Sequence, residues 1–109
     1  MKSKRSKATD ISSTVRKEVI KRDSPRDVPQ CIFCGSLYSI TIAHYVSRAS
    51  GGLGIEQNLA CVCFVCHSKL DQSVYRKSML VQFERYLKRL YQDWDVNKLK
   101  YVKGETNEV

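Results

Sequence analysis

Two Cys-x2-Cys pairs, Cys31 with Cys34 and Cys63 with Cys66, constrain this chain more than any other feature; 28 residues separate them. Each pair has the spacing that lets two thiolates on one tight turn share a metal ion, and together they supply the four ligands of a closed, tetrahedral, structural zinc site. Gly35, directly after the first pair, suits a knuckle whose backbone amides point back at the sulfurs. The competing reading is four unrelated buried thiols. A site closed by four sulfurs leaves no position for a substrate, so this zinc would clip the loop before a first strand to the start of a helix. The fifth cysteine, Cys61, lies in an apolar stretch and reads as a small buried hydrophobe rather than a ligand.

A staple of this kind suits a chain of 109 residues, which has room for one modest core plus short tails. Residues 1–9 carry Lys2, Lys4, Arg5 and Lys7 with little to bury, and read as a disordered basic arm, either a solvated terminus or a strand-tracking one. Ile11, Val15, Val19 and Ile20 recur at helical spacing and predict a helix over 10–23 that stops at Ser24-Pro25. Residues 37–43 alternate as a half-buried strand that brings His44 to its end, 48–57 form a glycine-bearing loop, and Leu59 to Val65 is a second strand leading into a helix near Cys66-His67. Leu70 and Val74 share one helical face, whereas Leu80, Phe83, Leu87 and Leu90 form a stripe of different phase, which predicts two helices with a break near 75–79. Trp94, Leu99 and Tyr101 should fold back onto the core, and 104–109 should be a loose tail. The domain thus spans 10–103, in an α+β fold with flanking N- and C-terminal helices.

Nineteen lysines and arginines against eleven acids leave a formal charge of +8, which points to a polyanionic partner. No apolar run approaches the roughly 20 residues needed to span a bilayer, and the basic N-terminus lacks the apolar stretch of a secretory signal. A reducing cytoplasm is the expected compartment, where paired cysteines hold metal more often than they form disulfides.

Both histidines fall beside the cysteine framework. The order His44-x13-Asn58-x8-His67, nested inside the two cysteine pairs, resembles the HNH family of endonucleases. The segments Ala43-His44-Tyr45-Val46-Ser47-Arg48, Gly51-Gly52, Gln57-Asn58-Leu59 and Cys63-x2-Cys66-His67-x2-Lys69 carry that likeness, over roughly residues 15–71. It extends to compact HNH proteins encoded beside packaging genes in tailed phages. The resemblance implies a ββα-metal core acting on double-stranded DNA in a bacterial host cell, with the large terminase subunit as candidate partner and no small-molecule cofactor. It also implies His44 as general base, His67 as ligand of a catalytic magnesium or manganese ion, and Asn58 as a brace across the glycine loop that keeps His44 aimed.

One position departs from the family: a second metal ligand commonly precedes the base, and here it is Ala43. Asp71, four residues after His67 and on the same helical face, is the candidate substitute, against a plain surface carboxylate. Arg48, Lys69, Arg85 and Arg89 are candidate phosphate contacts, with solvated surface charges as the alternative. The rival function is a catalytically weak or inactive zinc-stabilised module that binds DNA or a larger partner, because fold does not fix function.

Overall fold

The computed structural model describes residues 3–102. Strand β1 (Ile40–His44) pairs antiparallel with β2 (Leu59–Cys63), in a register that runs from Ile40 opposite Cys63 to His44 opposite Leu59. All five β2 residues are buried, because helices cover both faces of the pair. On one face, Val19 of α2 (Ser13–Arg22) packs with Leu59 and Cys61, joined by Ile11, Val15, Ile40 and Ile42. On the other, Ala43, Ala60 and Val62 meet Leu70 of α3 (Phe64–Gln72) and the Met79, Phe83, Leu87 stripe of α4 (Arg76–Leu90). The architecture is therefore α+β, a ββα core with flanking helices. No helix among the described residues is long and apolar enough to cross a membrane.

Helix boundaries follow local hydrogen bonding. Ser12 caps α2 by accepting from the Val15 amide, and the helix ends at Arg22, before Ser24-Pro25. The second strand is shorter than expected: it ends at Cys63, whose sulfur accepts from the Cys66 amide and caps α3 at once. Phe64 and Val65 then lie exposed on the first turn of that helix. The break between α3 and α4 falls at 73–75, ahead of the expected 75–79. There the Ser73 hydroxyl donates to the Lys69 carbonyl and accepts from the Tyr75 amide, and Val74, outside both helices, is 90% exposed.

The segment expected as a disordered basic arm contains helix α1 (Lys4–Thr9). Composition alone offers it no core, but tertiary contacts do. Arg5 donates to the Arg48 and Ala49 carbonyls, and the Gly54 amide donates to the Ala8 carbonyl at 2.9 Å. Gly54 makes that approach possible, since a Cβ there would sit 2.0 Å from the Asp10 carbonyl oxygen. The glycine loop is gripped from its other side as well. Leu53 donates to the carbonyl of buried Leu99, Tyr101 donates to that of Gly51, and Trp94 Nε1 donates to that of Gln57 at 2.7 Å. Residues 1–2 and the tail expected at 104–109 lie outside the described residues.

A buried ion pair joins the layers. The Asp23 carboxylate accepts from Arg22, from the Cys61 amide at 2.8 Å and from the Tyr86 hydroxyl, tying the end of α2 to β2 and α4. Burial works against the Arg22 charge, but Asp23 and Tyr91 beside it more than compensate, so its pKa rises.

Candidate active site and thiol cluster

The knuckle before β1 and the first turn of α3 bring the four predicted cysteine ligands together. One sulfur from each of Cys31, Cys34, Cys63 and Cys66 lies within 4.8 Å of the others, an arrangement that could hold a metal ion. Amides of Phe33 and Cys66 point at the Cys31 and Cys63 sulfurs at 3.4 Å. Burial raises the Cys31 thiol, yet hydrogen bonds from the amides of Cys34, Cys63 and Phe33 bring it to a net fall. Burial and the neighbouring sulfurs push Cys66 up, as expected of thiols that need a cation before they ionise together. Cys61 stands apart in the core against Val19 and Leu59, where burial pushes its thiol up to about 12. It behaves as a hydrophobe.

On another part of the surface an open cleft of about 580 Å³ is lined by His44, His67 and Asp71, with Arg16, Arg48 and Arg76 around them. His44 comes from the end of β1, and its Nε2 lies 3.1 Å from the Thr9 carbonyl oxygen. A carbonyl only accepts, so Nε2 carries the proton of the neutral ring and Nδ1 holds the lone pair. Burial depresses the His44 pKa below the ordinary histidine value; the Thr9 contact opposes this, while Arg48 and His67 add to the fall. His67 projects from the first turn of α3. Its Nδ1 lies 2.7 Å from the Thr41 hydroxyl, and its Nε2 lies 3.7 Å from Asp71 Oδ2 one turn on.

Asn58 is fully buried behind the cleft. Its Oδ1 accepts from the Val46 amide at 2.7 Å, and its Nδ2 donates to the carbonyls of Val46 at 3.1 Å and Leu53 at 2.9 Å. One side chain thereby joins the segment just after His44 to the glycine loop. Ala43 is buried in the core and offers no donor atom.

The predicted phosphate contacts divide. Arg48 lines the cleft and pairs with Asp10. Lys69 instead lies over the Tyr75 ring and Arg89 over Tyr86; like Arg85, neither lines the cleft. Arg16 and Arg76, which the sequence reading passed over, do line it, and Arg76 also donates to the Leu70 carbonyl at the end of α3. Thr41 was missed too. Strand alternation gives it the same face as Ala43, towards α3, and that is the signal that would have paired it with a helix histidine.

A family model described as HNH endonuclease matches residues 31–73, a stretch that includes all four clustered cysteines, both histidines and Asn58. No curated protein matches the chain. Among solved structures, the Type IV phosphorothioation-dependent restriction endonuclease ScoMcrA is similar in fold, with a TM-score of 0.55 at 19% identity. The alignment takes in 76% of this chain and 20% of that one, so this chain spans about a fifth of that protein's length.

Proposed function

Residues 31–73 match the HNH endonuclease family, and from that premise we propose that the chain is a metal-dependent endonuclease that hydrolyses phosphodiester bonds in double-stranded DNA. The observation that carries this reading is the shared cleft, where His44, His67 and Asp71 face one another among three arginines. His44 is the general base: with Nε2–H held by Thr9, its Nδ1 takes a proton from the attacking water, and its lowered pKa keeps it neutral for the task. His67 and Asp71 offer one nitrogen and one carboxylate at 3.7 Å, a donor pair that fits a magnesium or manganese ion completed by water and phosphate oxygens. When bound, such a cation supplies charge neutralisation at the phosphate and at the departing 3′ oxygen. Asn58 fixes the chain beyond His44, and Arg16, Arg48 and Arg76 hold the phosphates on either side.

The thiol cluster is proposed to hold structural zinc. A tetrahedron with zinc–sulfur bonds of about 2.3 Å has sulfur–sulfur edges of about 3.8 Å, and the Cys34 and Cys63 sulfurs stand 3.7 Å apart. Cytoplasmic action in a phage-infected bacterium, beside a large terminase subunit, rests on the likeness to packaging-linked HNH proteins; adding that subunit to the assay and finding no change in cleavage would remove it.

Purified protein incubated with plasmid in EDTA, magnesium or manganese tests the enzyme reading. Cleavage should require added cation, and should be lost in His44→Ala and His67→Ala variants that keep their fold and zinc. Buried Ala43, which gives no second ligand before the base, favours a binding-only module instead. DNA binding by a wild type that never cuts would select that alternative.

A further inference from the structure

His67 has one ring nitrogen whose neighbour dictates its proton. Nδ1 lies 2.7 Å from Thr41 Oγ1, and the same oxygen lies 2.7 Å from the Val62 carbonyl oxygen. The carbonyl only accepts and threonine owns a single hydroxyl hydrogen, so that hydrogen points at Val62. The lone pair left on Oγ1 then faces the ring, and Nδ1 must supply the proton between them.

We infer that Thr41 is a positioning residue that locks neutral His67 in its Nδ1–H tautomer and thereby turns the Nε2 lone pair into the cleft, where Asp71 Oδ2, at 3.7 Å and beyond hydrogen-bond reach, would share a cation with it. The opposite tautomer would point an N–H at the cation site and offer nothing to coordinate. Thr41 suits the task because little in its surroundings can turn. It is β-branched, sits on a paired strand directly opposite Val62, and takes its bearing from main chain rather than from a mobile side chain. His44, whose Nε2 faces the Thr9 carbonyl, is set the other way. Two histidines in one cleft thus hold opposite tautomers, one free at Nδ1 for a proton and one free at Nε2 for a cation.

This inference rests on the reading of His67 as a ligand, but its first test needs neither cation nor DNA. Long-range proton–nitrogen NMR on the ring-labelled full chain, with zinc in the thiol cluster and pH well above the ordinary histidine range, reports which nitrogen of His67 is protonated. The wild type and Thr41→Ser should show Nδ1–H; Thr41→Val, which keeps the shape and loses the hydroxyl, should move proton population to Nε2. Manganese titrated into the zinc-loaded protein should bind about 10- to 100-fold more weakly to Thr41→Val, with Thr41→Ser near wild type. Nε2–H in the wild type overturns the inference, and so does a Thr41→Val protein that shows no tautomer change or keeps full manganese affinity. Should the valine variant fail to fold, the wild-type tautomer and the serine variant's manganese affinity decide. A wild type that leaves plasmid intact yet shows Nδ1–H and Thr41-dependent manganese binding removes the nuclease reading and keeps this one.

Discussion

Replacing Asn58 by alanine should cost a large share of the stability of this domain. The side chain is fully buried and makes three hydrogen bonds, to Val46 N–H, Val46 C=O and Leu53 C=O. Truncation leaves three main-chain groups without their partner, two of them where water cannot easily reach. At about 1 to 1.5 kcal/mol for each bond the loss is about 3 to 4.5 kcal/mol, set against the roughly 5 to 15 kcal/mol that holds a typical domain together. Urea unfolding of zinc-loaded protein, followed by circular dichroism, should show the midpoint falling by about 1.5 to 2.3 M for a slope near 2 kcal/mol/M. Asn58→Asp is the sharper control. It keeps an acceptor for Val46 N–H but turns an oxygen towards two carbonyl oxygens, so it should fall at least as far. A loss below about 1 kcal/mol, less than a single buried partner is worth, would refute the bracing argument. Lost cleavage with unchanged stability would refute it differently, by moving Asn58 from the scaffold to the chemistry.

Three further outcomes are expected. Stripping metal from the thiol cluster with a strong chelator should abolish the cooperative unfolding transition, because structural zinc contributes about 10 to 16 kcal/mol in small domains; zinc should restore it, and an unchanged melting temperature would contradict the cluster's role. Cleavage should rise with pH through an inflection below the ordinary histidine value of 6.5, since burial lowers His44. The native state then binds fewer protons than the unfolded one between that lowered value and 6.5, so this histidine's contribution to stability falls as the solution is acidified; paired melts of wild type and His44→Ala read the sign. Gly54→Ala would drive a Cβ into the Asp10 carbonyl, and should loosen the N-terminal helix, seen as faster proteolysis within residues 4–10 while zinc is retained.

Much of the core was legible because its signals are local. A Cys-x2-Cys turn aims two sulfurs by itself, and the four predicted ligands do meet. Val19, Phe83 and Leu87 carried helical periodicity, and all three are buried. What escaped depended on distant partners. Helix α1 has a basic, core-poor sequence, and it is held by partners far along the chain: the carbonyls of Arg48 and Ala49, the His44 ring against the Thr9 carbonyl, and the close approach at Gly54. The start of α3 was misplaced because Phe64 and Val65 look like strand residues, whereas a capping sulfur turns the chain before them. Lys69, Arg85 and Arg89 were singled out for charge, but charge does not say which face of a helix a cleft will occupy; Arg16 and Arg76 hold that place.

The way the glycine loop is gripped bears on the order in which the molecule assembles. Each cysteine pair closes within a single turn of chain. The hairpin then brings the two pairs together, with Cys34 and Cys63 29 positions apart, while the contacts that frame the cleft reach onto that hairpin from outside it: Thr9 reaches His44 across 35 positions, Arg5 reaches Ala49 across 44, and Trp94 reaches Gln57 across 37. Closure entropy grows only with the logarithm of loop length, so length does not set the order; the outer contacts land on the end of β1 and on the glycine loop, which the strand pairing must first shape, so the hairpin and its sulfur clip form early and the N-terminal helix and the Trp94 segment dock late. An intermediate of that kind would carry metal and a native-like hairpin while His44 still turns freely. In hydrogen exchange the Gly54 amide, bonded to the Ala8 carbonyl, should open well before the amides of β2. The cleft would then be the last feature this chain completes on folding and the first it loses.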